Sequence, residues 1–183
     1  MSETAIRTYA GERRFSEAVL RRWLGHSHAD REKLLHVAEQ LRLGENQLRD
    51  ILDTVEDIKA RDGETIAEIF GRAPVAAVLQ QGRGRNETIH ALKRVLRELR
   101  YPQLSAVEVG LFDLVKQLRL PAGVRLEFPH NLEGEEIAIT VRAASADELR
   151  RRIRQLAALV DHQELDAMFR LLAGEIEGAV REE

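Results

Sequence analysis

Leu34-Leu35-His36-Val37-Ala38-Glu39-Gln40-Leu41-Arg42-Leu43-Gly44-Glu45-Asn46-Gln47-Leu48-Arg49-Asp50-Ile51-Leu52 holds the tightest pattern in the chain. Its apolar residues fall at helical spacing on both sides of a short break at Leu43-Gly44. A helix–turn–helix needs a small residue where the second helix crosses the first, and Ala38 fills that place. It needs apolar residues facing the crossing, and Val37, Leu41, Leu43, Leu48 and Ile51 fit. It also needs a turn residue that permits tight backbone geometry. Arg42 stands where glycine is usual, and Gly44 comes two residues later. The spacing therefore predicts a helix–turn–helix-like pair over 34–52. Glu45, Asn46, Arg49 and Asp50 lie at the exposed start of its second helix. In a DNA reader that is where base edges are met. Asn and Arg suit bidentate contacts to adenine and guanine.

Any compact helix pair in a bundle shares this spacing, and local charge opposes phosphate. From Gly44 to Phe70 there are eight acids against Arg49, Lys59 and Arg61, a local net of −5. Upstream, Phe15, Val19 and Trp23 predict one helix over 12–24, ended by Gly25. Ser27 and Asp30 resemble a capping box opening the next helix. Downstream, Asp62-Gly63 stops the third helix, and shorter helices are expected near 64–70 and 74–81.

Gln81-Gly82-Arg83-Gly84-Arg85-Asn86 reads as a linker, with a domain boundary at 82–86. That divides the chain into a helical domain, 1–81, and a second domain, 87–183. Asn86 is expected to cap a helix to about Arg100, followed by a helix opened by Ser105 and Glu108. Basic character gathers at 82–100, where six cations oppose Glu87 and Glu98. Arg83, Arg85, Lys93, Arg94 and Arg97 could grip phosphates, or could simply solvate a helix face.

Val124, Leu126 and Phe128 alternate with Arg125 and Glu127, and Ile137, Ile139 and Val141 alternate with Glu136, Ala138, Thr140 and Arg142. This period of two predicts one β-hairpin with a long loop. Ser145 and Glu148 then open a helix with Leu149, Ile153 and Leu156 inward, and a last helix carries Leu165, Met168, Phe169 and Leu172. The fold class is thus mainly α with one hairpin, and the C-terminal part is an α-β-β-α module. Two strands alone are marginal in water. Val124, Leu126, Phe128, Ile137, Ile139, Val141, Leu149, Ile153 and Leu156 are therefore candidates for pairing with a second copy.

The chain has 183 residues, a formal net charge of −3 and no Cys. Disulfides, thiolate nucleophiles and Cys-held metals are excluded. No apolar run reaches the roughly 18–20 residues of a membrane span. No secretion signal follows Met1, so a cytoplasmic location is expected. His26, His28 and Asp30 have a spacing seen in metal sites, but Ser27 capping explains the segment without metal. There is no Walker loop, Gly-x-Ser-x-Gly or His-Glu-x-x-His. The expectation is a non-enzymatic protein without a cofactor.

Three stretches resemble ParB-type chromosome-partitioning proteins. Gly11-Glu12-Arg13-Arg14 with Phe15 and Ala18 is similar to that family's Gly-Glu-Arg-Arg box; 34–52 is similar to its DNA-reading element. The stretch 105–160 is similar to its C-terminal dimerisation module. The family's asparagine- and arginine-containing nucleotide motif does not follow the box, so nucleotide binding is not expected. The resemblance implies a shortened relative with duplex DNA and a second copy of itself as partners. The competing expectation is a helical assembly subunit that docks another protein and has no nucleic-acid role.

Overall fold

A computed structural model describes residues 2–134 and 136–175. They form ten helices and one two-stranded antiparallel sheet. The chain divides into two compact units between Arg100 and Tyr101.

The first unit is entirely helical: α1 (Ser2–Glu12), α2 (Glu17–Leu24), α3 (His28–Leu41), α4 (Glu45–Asp62), α5 (Ile66–Gly71), α6 (Ala73–Gln80) and α7 (Arg85–Arg100). The helix expected over 12–24 begins only at Glu17, and α1, which was not expected, precedes it and ends at Glu12. Arg14 separates the two with φ 56°, so that Phe15 N–H bonds Ala10 O at 2.9 Å and Arg14 N–H bonds Gly11 O at 3.2 Å. This is a Schellman ending with arginine in the left-handed position where glycine usually sits, and for that reason the sequence does not announce it. Ser16 then caps α2, accepting from Val19 N–H. Trp23 is fully buried, and Tyr9 meets both Phe15 and Trp23 edge-on. Each large apolar side chain so buried contributes about 1.5–3 kcal/mol.

The stripes on α3 and α4 go inward as their spacing requires: Leu34, Val37, Ala38 and Leu41, then Leu48, Ile51, Leu52, Val55 and Ile58. The glycine–arginine stretch at 82–86 is not the domain boundary. It is a turn inside the first unit, because α7 packs its stripe of Ile89, Leu92, Val95 and Leu96 against α4 and α6. Nor does Asn86 cap α7, which begins one residue earlier at Arg85. The Asn86 Oδ1 accepts from Arg85 instead.

Ser27 caps α3 as expected, accepting from Asp30 N–H, but Asp30 does not reach back to complete a box. Its side chain is 0% exposed. One oxygen accepts from Lys59 Nζ at 2.9 Å and the other from Ala67 N–H at 3.0 Å. A single carboxylate thus joins α3, α4 and the start of α5.

The second unit holds α8 (Pro102–Leu118), β1 (Val124–Glu127), β2 (Ala138–Val141), α9 (Ala146–Ala157) and α10 (Gln163–Leu172). α8 starts at Pro102, so Ser105 and Glu108 do not open it; the Ser105 hydroxyl is buried inside the helix. The hairpin has the expected place, with Val124 opposite Val141 and Leu126 opposite Ile139 on one face. Leu111, Leu118, Met168 and Leu171 form the core, with Leu126, Phe128 and Ile137 packed against it. Gly123 (φ 82°) turns the chain into β1, and the Arg152 guanidinium lies over it where a Cβ would sit.

The Asp30 carboxyl feels burial most strongly, which raises its pKa. Hydrogen bonds from Lys59, Ala67 N–H and Ser27 outweigh burial and hold it below its ordinary value. A group depressed in this way stabilises the fold above its unfolded pKa, about 4, and loses that contribution as pH falls through its folded value. Asp30→Ala is expected to lower the unfolding free energy at pH 7 by about 3 kcal/mol. Urea titrations from pH 7 to pH 2 check it: the gap between wild type and variant should narrow below about pH 4, and a constant gap refutes this account.

Candidate nucleic-acid interface

The turn between α3 and α4 is a second Schellman ending. Leu43 N–H bonds Ala38 O at 2.9 Å and Arg42 N–H bonds Glu39 O at 3.2 Å. Arg42 is left-handed, with φ 47° and ψ 50°. Ala38 and Leu43, the apolar pair such an ending requires, are both fully buried.

Three side chains from other elements secure the carbonyls of this turn. The Tyr9 hydroxyl lies 2.7 Å from Ala38 O and 2.8 Å from Leu43 O. Burial raises its pKa, so the hydroxyl keeps its proton as a donor. Arg13 donates to Arg42 O at 3.1 Å. Arg85 donates to Leu41 O at 2.7 Å, to Arg42 O at 2.9 Å and to Gln47 Oε1 at 3.2 Å. Arg13 and Arg85 therefore converge on one carbonyl. Their chain neighbours Arg14 and Arg83, and Arg42 itself, are exposed. Arg14 and Arg42 form no side-chain hydrogen bond or ion pair among the described residues, whereas Arg83 makes a loose contact of 3.9 Å with Glu87.

α4 begins at this basic end. Gly44 N–H donates to Gln47 Oε1 at 3.1 Å, a reach-back from the third helical position. Asn46 and Arg49 project from the first turns, both exposed, and Arg49 donates to Asn46 Oδ1 at 3.1 Å. Glu45 does not join them as a base reader. Its carboxylate accepts from Ser16 N–H and Ser16 Oγ, each at 2.8 Å, which ties the start of α2 to the start of α4 and holds its pKa below the usual carboxylate value.

The acids of α4 are matched one by one. Asp50 accepts from Lys93 Nζ at 2.6 Å, and Asp53 sits 2.6 Å from Arg22 Nη1. Glu56 takes the other edge of Arg22 at 2.6–3.1 Å and lies 3.0 Å from His26 Nε2. Asp57 pairs with Arg100. Asp62 and Glu64 both pair with Arg72. Glu68 folds back on Thr65 in a capping box. The local −5 is thus largely balanced by Arg22, Arg72, Lys93 and Arg100, cations that lie outside this stretch of the sequence. The rungs Asp50–Lys93 and Asp57–Arg100 step by seven residues on both helices, so α4 and α7 run side by side in one direction. Arg61 closes the far end, donating to Leu99 O and Arg100 O.

Several residues expected to hold phosphates are therefore occupied. Arg85 caps α3, and Lys93 belongs to Asp50. Arg94 lies 3.9 Å from Glu98 and is exposed, while Arg97 is half-buried on α7. Arg13, Arg14 and Arg42 join the candidate site instead; Arg14 and Arg42 are the left-handed residues of their turns. His26 turns to Glu56 and His28 to Glu32, so the histidines do not converge with Asp30.

In the second unit the pairing candidates divide. Val124 is buried, and Leu126, Phe128 and Ile137 are committed to the unit's own core. Val141 and Leu156 are half-buried. Ile139 (47% exposed), Leu149 and Ile153 remain open, and Phe112 on α8 is 68% exposed. No side chain of α9 is buried.

No helix among the described residues is long and apolar enough to cross a membrane. Comparisons of the chain with protein-family models, with curated proteins and with solved structures find no match.

Tyr9→Phe removes the hydroxyl that two buried carbonyls share. It is expected to cost about 1–2 kcal/mol, read as a lower midpoint in urea unfolding followed by tryptophan fluorescence of Trp23. An unchanged midpoint would show that the turn holds without α1.

Proposed function

We propose that this chain is a non-enzymatic DNA-binding protein that acts as a dimer, with the first turns of α4 reading a major groove. The observation that carries the reading is the start of α4. It is locked in place by Tyr9, Arg13 and Arg85, and it carries exposed Asn46 and Arg49 beside unpaired Arg14 and Arg42. Asn46 and Arg49 have the chemistry for base edges. Arg14, Arg42 and Arg83 have the chemistry for phosphate oxygens, which fix register without carrying sequence information.

Self-association is part of the proposal. A two-stranded hairpin is marginal alone, and the second unit leaves Ile139, Leu149 and Ile153 exposed around it. Two readers in one dimer engage half-sites together. The ParB-type resemblance adds a chromosome-partitioning or regulatory setting in the cytoplasm. The competing reading, a helical assembly subunit, draws on the same exposed apolar side chains and makes the partner a different protein.

Fluorescence anisotropy with a mixed-sequence duplex pool, together with light scattering, tests the proposal. The expected result is a dimeric mass and duplex binding that weakens by about 10³-fold between 50 and 200 mM salt, as about six phosphate contacts per dimer imply. Arg49→Ala should cost about 1–3 kcal/mol at a selected site and leave the salt slope alone. A monomer, or no duplex binding at 50 mM salt, overturns the proposal.

A further inference from the structure

The outward face of α4 holds a contradiction for a DNA reader. Between Arg49 and Asp57 its exposed positions are Asp50, Asp53 and Asp57, with Ala60, Arg61 and Asp62 following at its end. Each of the first two takes a cation from a neighbouring helix: Lys93 from α7 on one flank, Arg22 from α2 on the other. Both cations flank α4, where a phosphate backbone laid along it would pass. Both pairs remain accessible, since the Asp50 and Asp53 side chains are each 51% exposed, Lys93 37% and Arg22 32%. Pairs exposed to this degree add little stability, so stability does not account for their placement.

We infer that Asp50 and Asp53 are specificity-determining counterions: they occupy Lys93 and Arg22 and so hold back non-specific attachment to the DNA backbone. The inference rests on the DNA-binding reading above. A phosphate of any sequence must displace a carboxylate to gain either cation, and it must approach that carboxylate's own charge. A matched site, with Arg49 and Asn46 on base edges, supplies interactions that a random site does not. The acids therefore weaken both classes of binding but leave base readout as the larger share of what remains. Arg22 is suited to the arrangement, because Glu56 holds its Nε and Nη2 edge while only Nη1 serves Asp53. Neutralising Asp53 frees one edge of the guanidinium without releasing the side chain.

The test is the full-length Asp50→Asn/Asp53→Asn variant on a duplex of unrelated sequence, titrated by anisotropy at 50 to 200 mM salt. Binding at 0.1 M salt is expected to tighten by about tenfold, with the log–log salt slope steeper by about 1.8 per protomer, from two added phosphate contacts. Asp50→Asn alone, which releases only Lys93, should give about half that change in slope, about 0.9. Asp147→Asn/Asp166→Asn, which removes the same charge from α9 and α10, is the control and should change neither quantity. Circular dichroism melts confirm that each variant is folded. If the wild type binds and the α4 variants tighten no more than the control, the inference fails and the DNA-binding reading stands. If no form binds duplex at 50 mM salt, both fall together.

Discussion

The first unit depends on the capture of a few backbone carbonyls. A left-handed non-glycine residue costs about 1–2 kcal/mol, and Arg42 adopts that conformation to end α3 and start α4. The turn leaves carbonyls of Ala38, Leu41, Arg42 and Leu43 facing their neighbours, and Tyr9, Arg13 and Arg85 take all four. Because those donors come from α1, the loop after it and α7, the direction of α4 is tied to elements about 30 residues before and 40 residues after it in the chain. The Asp30 carboxylate does the same at the other end of α3, joining Lys59 and Ala67 N–H.

Charge organises the same unit at longer range. Read along the chain, α4 is an acidic helix. In the folded unit its carboxylates are partners for α2 and α7, and the seven-residue step of its rungs against α7 matches two helices laid in parallel. Arginine does most of this work, since its planar fork spans two acceptors at once: two carboxylates for Arg22, two backbone carbonyls for Arg61 and for Arg85.

The two units differ in how completely they bury their apolar stripes. In the first, the stripes of α2 through α7 close on one core containing Trp23 and Phe70. In the second, the fully buried cluster is Leu111, Leu118, Met168 and Leu171, and α9 lays Leu149 and Ile153 open. Arg152, paired with Glu148 of the same helix, lies over Gly123, so a guanidinium stands at that point between α9 and the hairpin. Under the proposed function this incomplete cover is what a second copy completes.

Much was legible from local pattern alone. The helix stripes, the hairpin at 124–141 and the crossing at Ala38 follow from periodicities of 3.6 and 2 and from one small residue. The misplaced features share one physical cause. The helix end at Arg14 and the continuity across 82–86 are fixed together with contacts to distant elements, Ser16 with Glu45 and α7 with α4 and α6, which no local pattern encodes. The site followed the same division: sequence by itself determined that Asn46 and Arg49 would stand at an exposed helix start, because the apolar stripe of α4 points the opposite way. Only the tertiary structure decided which charges are spent and which are free. Glu45, Arg85 and Lys93 are taken by partners 29 to 44 residues away, a separation that no local spacing encodes.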